Sequence, residues 1–328
     1  MPIHKLKLIV TADHSGNRLD DILAGWLPNA LGRALSRAKG RKLIMAGAVY
    51  VDRKRVRLAS TELSEGATIE AYVDESRLFE DLTARDKEFD VSQDRILFED
   101  SDLIVIDKPA GLPSQPTLDK ARDNLLAALR RFLLKRDGEE PYIGVHHRLD
   151  RDTSGVVLFT KSRRVNAALT DMFSQHRVVK IYQALTYPGA TPALRGRLQK
   201  EWTVKNYLAN VLERSKRAKY GSVSSGGQPA ETSFRVVQQH PHGVWVEAIP
   251  KTGRTHQIRV HLSEYGLPII GDDLYGPRSG QQRGQPAYRL MLHASQLVFR
   301  HPITGVEISI KSPLPLDFRQ CLRRIQLP

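Results

Sequence analysis

The sequence predicts an α+β protein: a large domain built on a mixed, largely antiparallel sheet with flanking helices, preceded by a small N-terminal α/β module. Three observations carry this. Short runs rich in β-branched and aromatic residues alternate with helical patterns in irregular order, which a doubly wound parallel sheet would not produce. The first 75 residues hold a compact strand, helix, helix, strand pattern of their own. An acidic stretch poor in apolar residues then separates them from the rest. The expected division is therefore residues 1–75, a linker over 76–93 and a second domain over 94–328.

Taken in order, residues 1–10 alternate apolar and basic side chains, the period of a strand with one buried face. Leu19, Ile22, Leu23, Trp26 and Leu27 fall on one helical face, and Pro28 with Asn29 is expected to break that helix. A second helix is expected over residues 30–46, ending at Gly47. Val49, Tyr50 and Val51 read as a short strand turning at Asp52, Arg53 and Lys54, and residues 68–73 as another. The linker carries Glu80, Asp81, Asp86, Glu88 and Asp90.

In the second domain, residues 96–100 and 103–107 read as strands joined by an acidic turn, followed by the turn-rich Lys108-Pro109-Ala110-Gly111-Leu112-Pro113. A helix is expected over residues 124–134 and another near 165–173. Strands are expected at 156–159, 181–185, 234–237 and 244–249. Residues 216–228, basic and then rich in Gly and Ser, read as a mobile loop.

Lys plus Arg number 50 against 36 Asp plus Glu, a net charge of +14, which suits a polyanionic partner, with nucleic acid foremost. A single cysteine, Cys321, excludes an intramolecular disulfide and any metal site built on several cysteines. The N-terminus lacks the apolar core of a signal peptide, and no run approaches the roughly 18 apolar residues of a membrane span. A cytoplasmic protein that binds no membrane is expected.

The positive charge is concentrated. Between residues 32 and 58 stand Arg33, Arg37, Lys39, Arg41, Lys42, Arg53, Lys54, Arg55 and Arg57, opposed only by Asp52. Arg33 and Arg37, four apart, are expected to share a helix face along which a phosphate backbone is tracked. Arg18, Leu19, Asp20, Ser36, Arg37, Leu43, Ile44, Gly47, Val49, Val51, Gly66 and Ile69 give this module a resemblance to the small RNA-binding domain of the ribosomal S-four type. Where that family often has Asn-Gly after the strand, Asp52-Arg53 stands here.

The segment His147-Arg148-Leu149-Asp150-Arg151-Asp152-Thr153-Ser154-Gly155, followed by Val156-Val157-Leu158-Phe159, reads as a loop entering a strand. A carboxylate on a loop braced by a sheet is a common address for catalysis, though a solvated surface ion-pair cluster has the same composition. Together with Lys180-Ile181-Tyr182, Thr252-Gly253-Arg254-Thr255-His256-Gln257-Ile258-Arg259-Val260-His261, Gly271 to Gly276 and Leu292-His293-Ala294, it resembles the RluA family of pseudouridine synthases over residues 96–318. Family members commonly follow KPAG with a His-Pro pair, and here Ser114-Gln115-Pro116 replaces it.

The resemblance implies isomerisation of uridine in RNA, a reaction that breaks a carbon–nitrogen bond, turns the base and forms a carbon–carbon bond. No redox change or group donor enters, so no cofactor is expected. It implies Asp150 as the catalytic carboxylate, acting as nucleophile at the sugar or as the base that takes a sugar proton. Tyr182 is then expected to pack on the target base and Arg259 to pair with Asp150, while Arg148 enters the RNA where the extruded nucleotide had been. The histidines His147, His256, His261 and His293 lack HExxH spacing, and no metal is expected. Asp152 reads as surface, and Asp272 and Asp273 as holding the loop they begin.

Large-subunit ribosomal RNA is the favoured target and transfer RNA the alternative. A monomer without an obligate protein partner is the default. Two rivals remain: a non-catalytic RNA-binding or ribosome-assembly factor on the same fold, and an RNA glycosylase, which would want a second carboxylate.

Overall fold

The computed structural model describes residues 4–75, 88–117, 123–188, 198–211, 219–277 and 289–326. The chain forms two compact units, Met1–Lys87 and Glu88–Pro328. Most of the acidic stretch, residues 76–87, lies outside the described residues.

The first unit contains β1 (His4–Ile9), α1 (Leu19–Leu31), α2 (Arg37–Ala46), β2 (Val49–Val51), β3 (Lys54–Val56) and β4 (Thr68–Val73). Its antiparallel sheet has the order β1-β4-β2-β3. The two helices pack Leu19, Ile22, Leu23, Leu27 and Ile44 with Val49, Ile69 and Val73 of the sheet.

Helix α1 does not stop at Pro28, as the sequence suggested, but runs on to Leu31 and ends at Gly32 with φ 62°. Leu23, Leu27 and Leu31 repeat every four residues and all join the core. Stopping at Leu27 would leave Leu31 unpacked. Proline costs one hydrogen bond and a steric adjustment here, but its own carbonyl still accepts from Gly32 and Arg33. The second helix is correspondingly shorter than expected, beginning at Arg37. Arg33 therefore lies in the connection between helices and shares no helix face with Arg37. At the β2–β3 hairpin, Asp52 and Arg53 both take positive φ (48° and 63°), which a two-residue turn of type I′ demands.

The second unit contains β5 (Ile96–Glu99), β6 (Leu103–Lys108), α3 (Leu125–Asp137), β7 (Gly144–Val145), β8 (Ser154–Thr160), α4 (Asn166–Ser174) and β9 (Val179–Thr186). After these come β10 (Glu201–Asn210), β11 (Tyr220–Val223), β12 (Gln228–His240), β13 (Gly243–Pro250), α5 (Gln257–Tyr265), β14 (Leu292–Arg300), β15 (Glu307–Lys311) and α6 (Leu316–Gln326). One 11-stranded sheet runs β11-β10-β12-β13-β9-β14-β8-β6-β5, with β15 on β14 and β7 on β8.

Among the described residues every pairing is antiparallel except β14 with β8. That parallel contact is close. Gly155 has φ 115°, and a Cβ there would lie 2.1 Å from the carbonyl oxygen of Ala294, so only glycine fits. The fully buried β8, flanked by β14 and β6, is the rigid base from which the preceding loop projects. Part of the expected loop over residues 216–228 is instead the edge strand β11, paired with β10; residues 212–218 are not described.

Candidate active site

The loop between β7 and β8 carries Asp150, and three side chains and one backbone turn fix it. His147 turns inward: its Nε2 accepts the backbone N–H of Leu158 at 2.9 Å, and its ring stacks on Phe173 at 4.8 Å between centroids. Burial pushes its pKa down to about 3, so the ring is neutral and free to accept. Ser114 donates its hydroxyl to the Leu149 carbonyl (2.9 Å) and accepts the Leu149 N–H (3.0 Å). Lys108, wholly buried, donates to the carbonyls of Pro109, Leu112 and Arg151 at 2.9, 2.7 and 3.0 Å. Burial lowers its pKa to about 7. Thr153 donates its backbone N–H to the Asp150 carbonyl and closes the turn.

Asp150 faces a guanidinium and an imidazole at unequal distances. Its Oδ2 lies 3.5 Å from Nη1 of Arg259 and 3.9 Å from Nε2 of His256. Arg259 was expected to pair with Asp150, but its main partner is Asp272, which receives Nε at 2.7 Å and Nη2 at 2.8 Å in a two-pronged bridge. The Asp272 side chain is fully buried, and its Oδ1 also accepts the backbone N–H of Leu274 and Tyr275. Burial works against the charge on Arg259, and Asp272 more than offsets it, so its pKa is raised. The guanidinium also sits over the Tyr275 ring, 5.0 Å from its centre. Only Nη1 is left to point at Asp150.

His256 adopts φ 57° at the N-terminus of α5. Its Nδ1 lies 2.9 Å from the Tyr275 hydroxyl, which in turn accepts the Tyr220 N–H at 2.8 Å. Burial raises the Tyr275 hydroxyl to about 12, which keeps the phenol protonated, and burial also depresses His256. Gln257 anchors the same turn to β12, donating to the Glu231 carbonyl and Thr232 hydroxyl while accepting from Thr252 and Arg254. Tyr182 on β9 borders the cavity. Burial, with Asp150 adding to it, raises its pKa and keeps the phenol protonated.

These groups line an open cavity of about 760 Å³ that brings together Asp150, Tyr182, Arg259, Arg148, Gln115 and Lys180. Arg148 is exposed at the rim, where it approaches Thr255 at 3.4 Å. Asp152 pairs with Arg151 on the surface, as expected. Lys108, Ser114, His256 and Gln257 were not singled out from sequence as site residues. The KPAG stretch and the RTHQIR string contained or bordered them, but their roles lie in long-range hydrogen bonds.

The histidines expected not to bind metal are each held by protein: His147 by Leu158, His256 by Tyr275, His261 by Thr232 and Asn206, His293 by Ser154. Among the described residues Asp100, Asp102 and His301 also cluster. Their groups are spent on one another, on Arg164 and on local backbone N–H groups.

In the N-terminal unit the basic residues divide into two sets. Asp20, its side chain fully buried, binds Arg18 (3.1 Å), Arg37 (3.4 Å) and Arg41 (2.6 Å), while Arg37 also reaches Asp21. Burial opposes the Asp20 charge, but the three guanidiniums outweigh it and depress its pKa strongly. Arg37 and Arg41 thus brace the fold, which corrects the expectation of charge opposed only by Asp52. Lys39 is buried, against its expected exposure, and the side chain of Lys42 lies outside the described residues. Arg33 is exposed in the interhelical turn, and Arg53, Lys54 and Arg55 are exposed on the β2–β3 hairpin, where Arg55 donates to the Tyr50 hydroxyl.

A basic module in the same chain as a cavity with, among the described residues, one carboxylate, a partly buried tyrosine and a fixed arginine fits an enzyme that modifies RNA. Residues 102–264 match the family model described as RNA pseudouridylate synthase, and residues 18–69 match that of the S4 domain. The ribosomal large subunit pseudouridine synthase C of Yersinia pestis is 32% identical over 96% of this chain and 94% of its own. That of Escherichia coli strain K12 is 31% identical over 97% and 95%. An RNA pseudouridine synthase of Chloroflexus aurantiacus is 34% identical over 97% and 93%. Among solved structures, human RNA pseudouridylate synthase domain containing 4 superposes with a TM-score of 0.55 at 27% identity, covering 71% of this chain and 93% of its own. The chain belongs to the RNA pseudouridylate synthase family and carries an S4 domain at its N-terminus.

Proposed function

We propose that this enzyme converts specific uridines of large-subunit ribosomal RNA to pseudouridine, with Asp150 as its catalytic carboxylate. The observation that carries the reading is the Asp150–Arg259–Asp272 chain at the edge of the cavity. A buried carboxylate holds Arg259 by two of its nitrogens and leaves the third pointing at Asp150, 3.5 Å away, which positions the carboxylate at the cavity. Both routes open to Asp150, attack on the sugar and removal of a sugar proton, depend on that placement.

Hydrolysis by a pair of carboxylates is disfavoured. Both oxygens of Asp272 are spent on Arg259, one of them also on two backbone N–H groups, and Asp152 is paired with Arg151 at the surface. A stacked uridine hides its reacting atoms, so the nucleotide is extruded at a cost of a few kcal/mol. Arg148, exposed and loosely held, takes the vacated place by stacking its guanidinium plane on neighbouring bases. Tyr182 packs on the flipped base, and its protonated hydroxyl assists the proton movements that follow.

The target follows from the relatives, named for the ribosomal large subunit, and from the basic S4 module, where Arg33, Arg53, Lys54 and Arg55 contact phosphates without choosing a sequence. The enzyme works in the cytoplasm as a monomer. Among the described residues no helix is long and apolar enough to cross a membrane.

The test is pseudouridine mapping on total RNA from cells lacking the gene, complemented with wild type or Asp150→Asn. A ribosomal pseudouridine that vanishes and returns only with wild type supports the proposal. An unchanged map, or a site restored equally by Asp150→Asn, refutes it. A lost transfer-RNA pseudouridine would move the target.

A further inference from the structure

The same cavity has a second charged wall that the isomerisation does not use. Lys180 stands on β9 two residues before Tyr182, and side chains two apart on a strand share a face about 7 Å from each other. Its ammonium is half-buried and donates to the carbonyl of Thr252 at 3.2 Å. Arg254, a neighbouring charge of the same sign, spends its Nε on the Pro229 carbonyl at 3.0 Å, and His176, an imidazole whose pKa burial lowers, lies exposed on the same cavity in a left-handed conformation (φ 57°). Among the described residues no carboxylate pairs with Lys180, Arg254 or His176. Glu231, whose charge acts on His176, is taken by Lys205 (3.2 Å) and Lys251 (3.7 Å). Gly253 leaves the approach to the ammonium open, since even a Cβ there would come only within 3.7 Å of Nζ.

Gathering like charges at a half-buried wall is costly unless an anion joins them. Burial and Arg254 already hold the pKa of Lys180 down to about 8, and an anion would restore its charge. We infer that Lys180, Arg254 and His176 form a phosphate subsite that binds an RNA backbone phosphate flanking the extruded uridine. With the base against Tyr182, the next position along the β9 face falls where the nucleotide's own backbone runs. The subsite rests on the proposed function and assigns it a substrate-positioning device separate from Asp150.

The test uses an RNA oligomer spanning the mapped target uridine, and two copies in which the 5′ or the 3′ flanking phosphate is an uncharged methylphosphonate. Binding and single-turnover conversion are measured for wild type, Lys180→Met and Lys180→Arg across a salt series. The subsite predicts a several-fold weaker affinity for Lys180→Met, a salt slope shallower by about 0.7, the share of one single-strand phosphate, and rescue by Lys180→Arg. One methylphosphonate should weaken wild type and leave Lys180→Met unaffected. The proposal is overturned if Lys180→Met binds with the wild-type slope, or if both methylphosphonates weaken the two proteins equally. Wild type that converts no uridine in the natural oligomer would overturn the functional reading itself.

Discussion

Asp272→Asn isolates the link between the buried scaffold and Asp150, the carboxylate proposed to react. Asparagine keeps the shape and one acceptor oxygen for the N–H groups of Leu274 and Tyr275, but it removes the charge that holds Arg259 at 2.7 and 2.8 Å. Breaking a buried pair by removing one partner costs about 3–5 kcal/mol. For a domain of this size that corresponds to a fall in Tm of about 6–20 °C. The lower end is expected, because Arg259 can turn its charge toward Asp150, already 3.5 Å away. That relief harms activity: a carboxylate drawn into a tight pair is displaced from the sugar, and a misplacement of this order costs about 10²-fold in rate. Calorimetry and single-turnover pseudouridine formation measure the two effects. Asp152→Asn is the control, since its half-exposed pair with Arg151 is worth at most about 1 kcal/mol. An Asp272→Asn protein that melts and turns over like the control would refute the reasoning.

Gly155→Ala places a methyl 2.1 Å from the Ala294 carbonyl, so β8 and β14 must part; we expect loss of folded protein at 37 °C, and a cooperative melt within 3 °C of wild type would show the contact to be plastic. His261, buried between the Thr232 hydroxyl and Asn206, has its pKa pushed by burial from 6.5 to about 4. Below pH 6.5 the unfolded chain takes a proton that the fold refuses, so stability is full above 6.5 and falls by at most about 3 kcal/mol on going down to pH 4. Melting from pH 7.5 to 4.5 should show less of this fall in His261→Gln, and parallel curves would exclude the residue as the cause. Replacing Arg53 and Lys54 by glutamine should lower the slope of log affinity against log salt by about 0.7–0.9 for each phosphate that is no longer neutralised, with Tm unchanged. An unchanged slope removes the hairpin from the RNA interface.

What the sequence revealed, and what it hid, follows from the range of each interaction. Strand β8 was legible because Val156 to Phe159 are apolar, β-branched or aromatic without interruption, as a strand covered on both faces must be. The hairpin turn was visible in place but not in kind, since Asp52 and Arg53 occupy backbone conformations usually left to Asn and Gly. Helix α5 had no helical signature. Its apolar residues Ile258, Val260 and Leu262 recur every second position, because the helix is buried on nearly every side and its polar residues are satisfied internally. Gln257 is met by Thr232, Arg259 by Asp272 and His261 by Asn206, partners up to 55 residues away. No local pattern encodes such pairs. Asp150, Tyr182 and Arg259 were named through resemblance, while the long-range contacts around them emerged only from the fold.

The fold separates two kinds of arginine that composition counts alike. In each unit an aspartate with a fully buried side chain binds arginine: Asp20 binds Arg18, Arg37 and Arg41, and Asp272 binds Arg259. Around Asp20 the charges are largely consumed, so the RNA-facing potential of that module depends on residues with no such anchor, chiefly the hairpin. Around Asp272 one guanidinium nitrogen is left over, and its direction is set by the two that are bound. A net charge of +14 therefore overstates what is offered to RNA. Asp20→Asn should confirm the difference: it frees three arginines and yet destabilises the module that presents them. Loss of its cooperative melt, rather than tighter RNA binding, is the expected result. A folded Asp20→Asn module with raised RNA affinity would show that these arginines are held in reserve for phosphate instead.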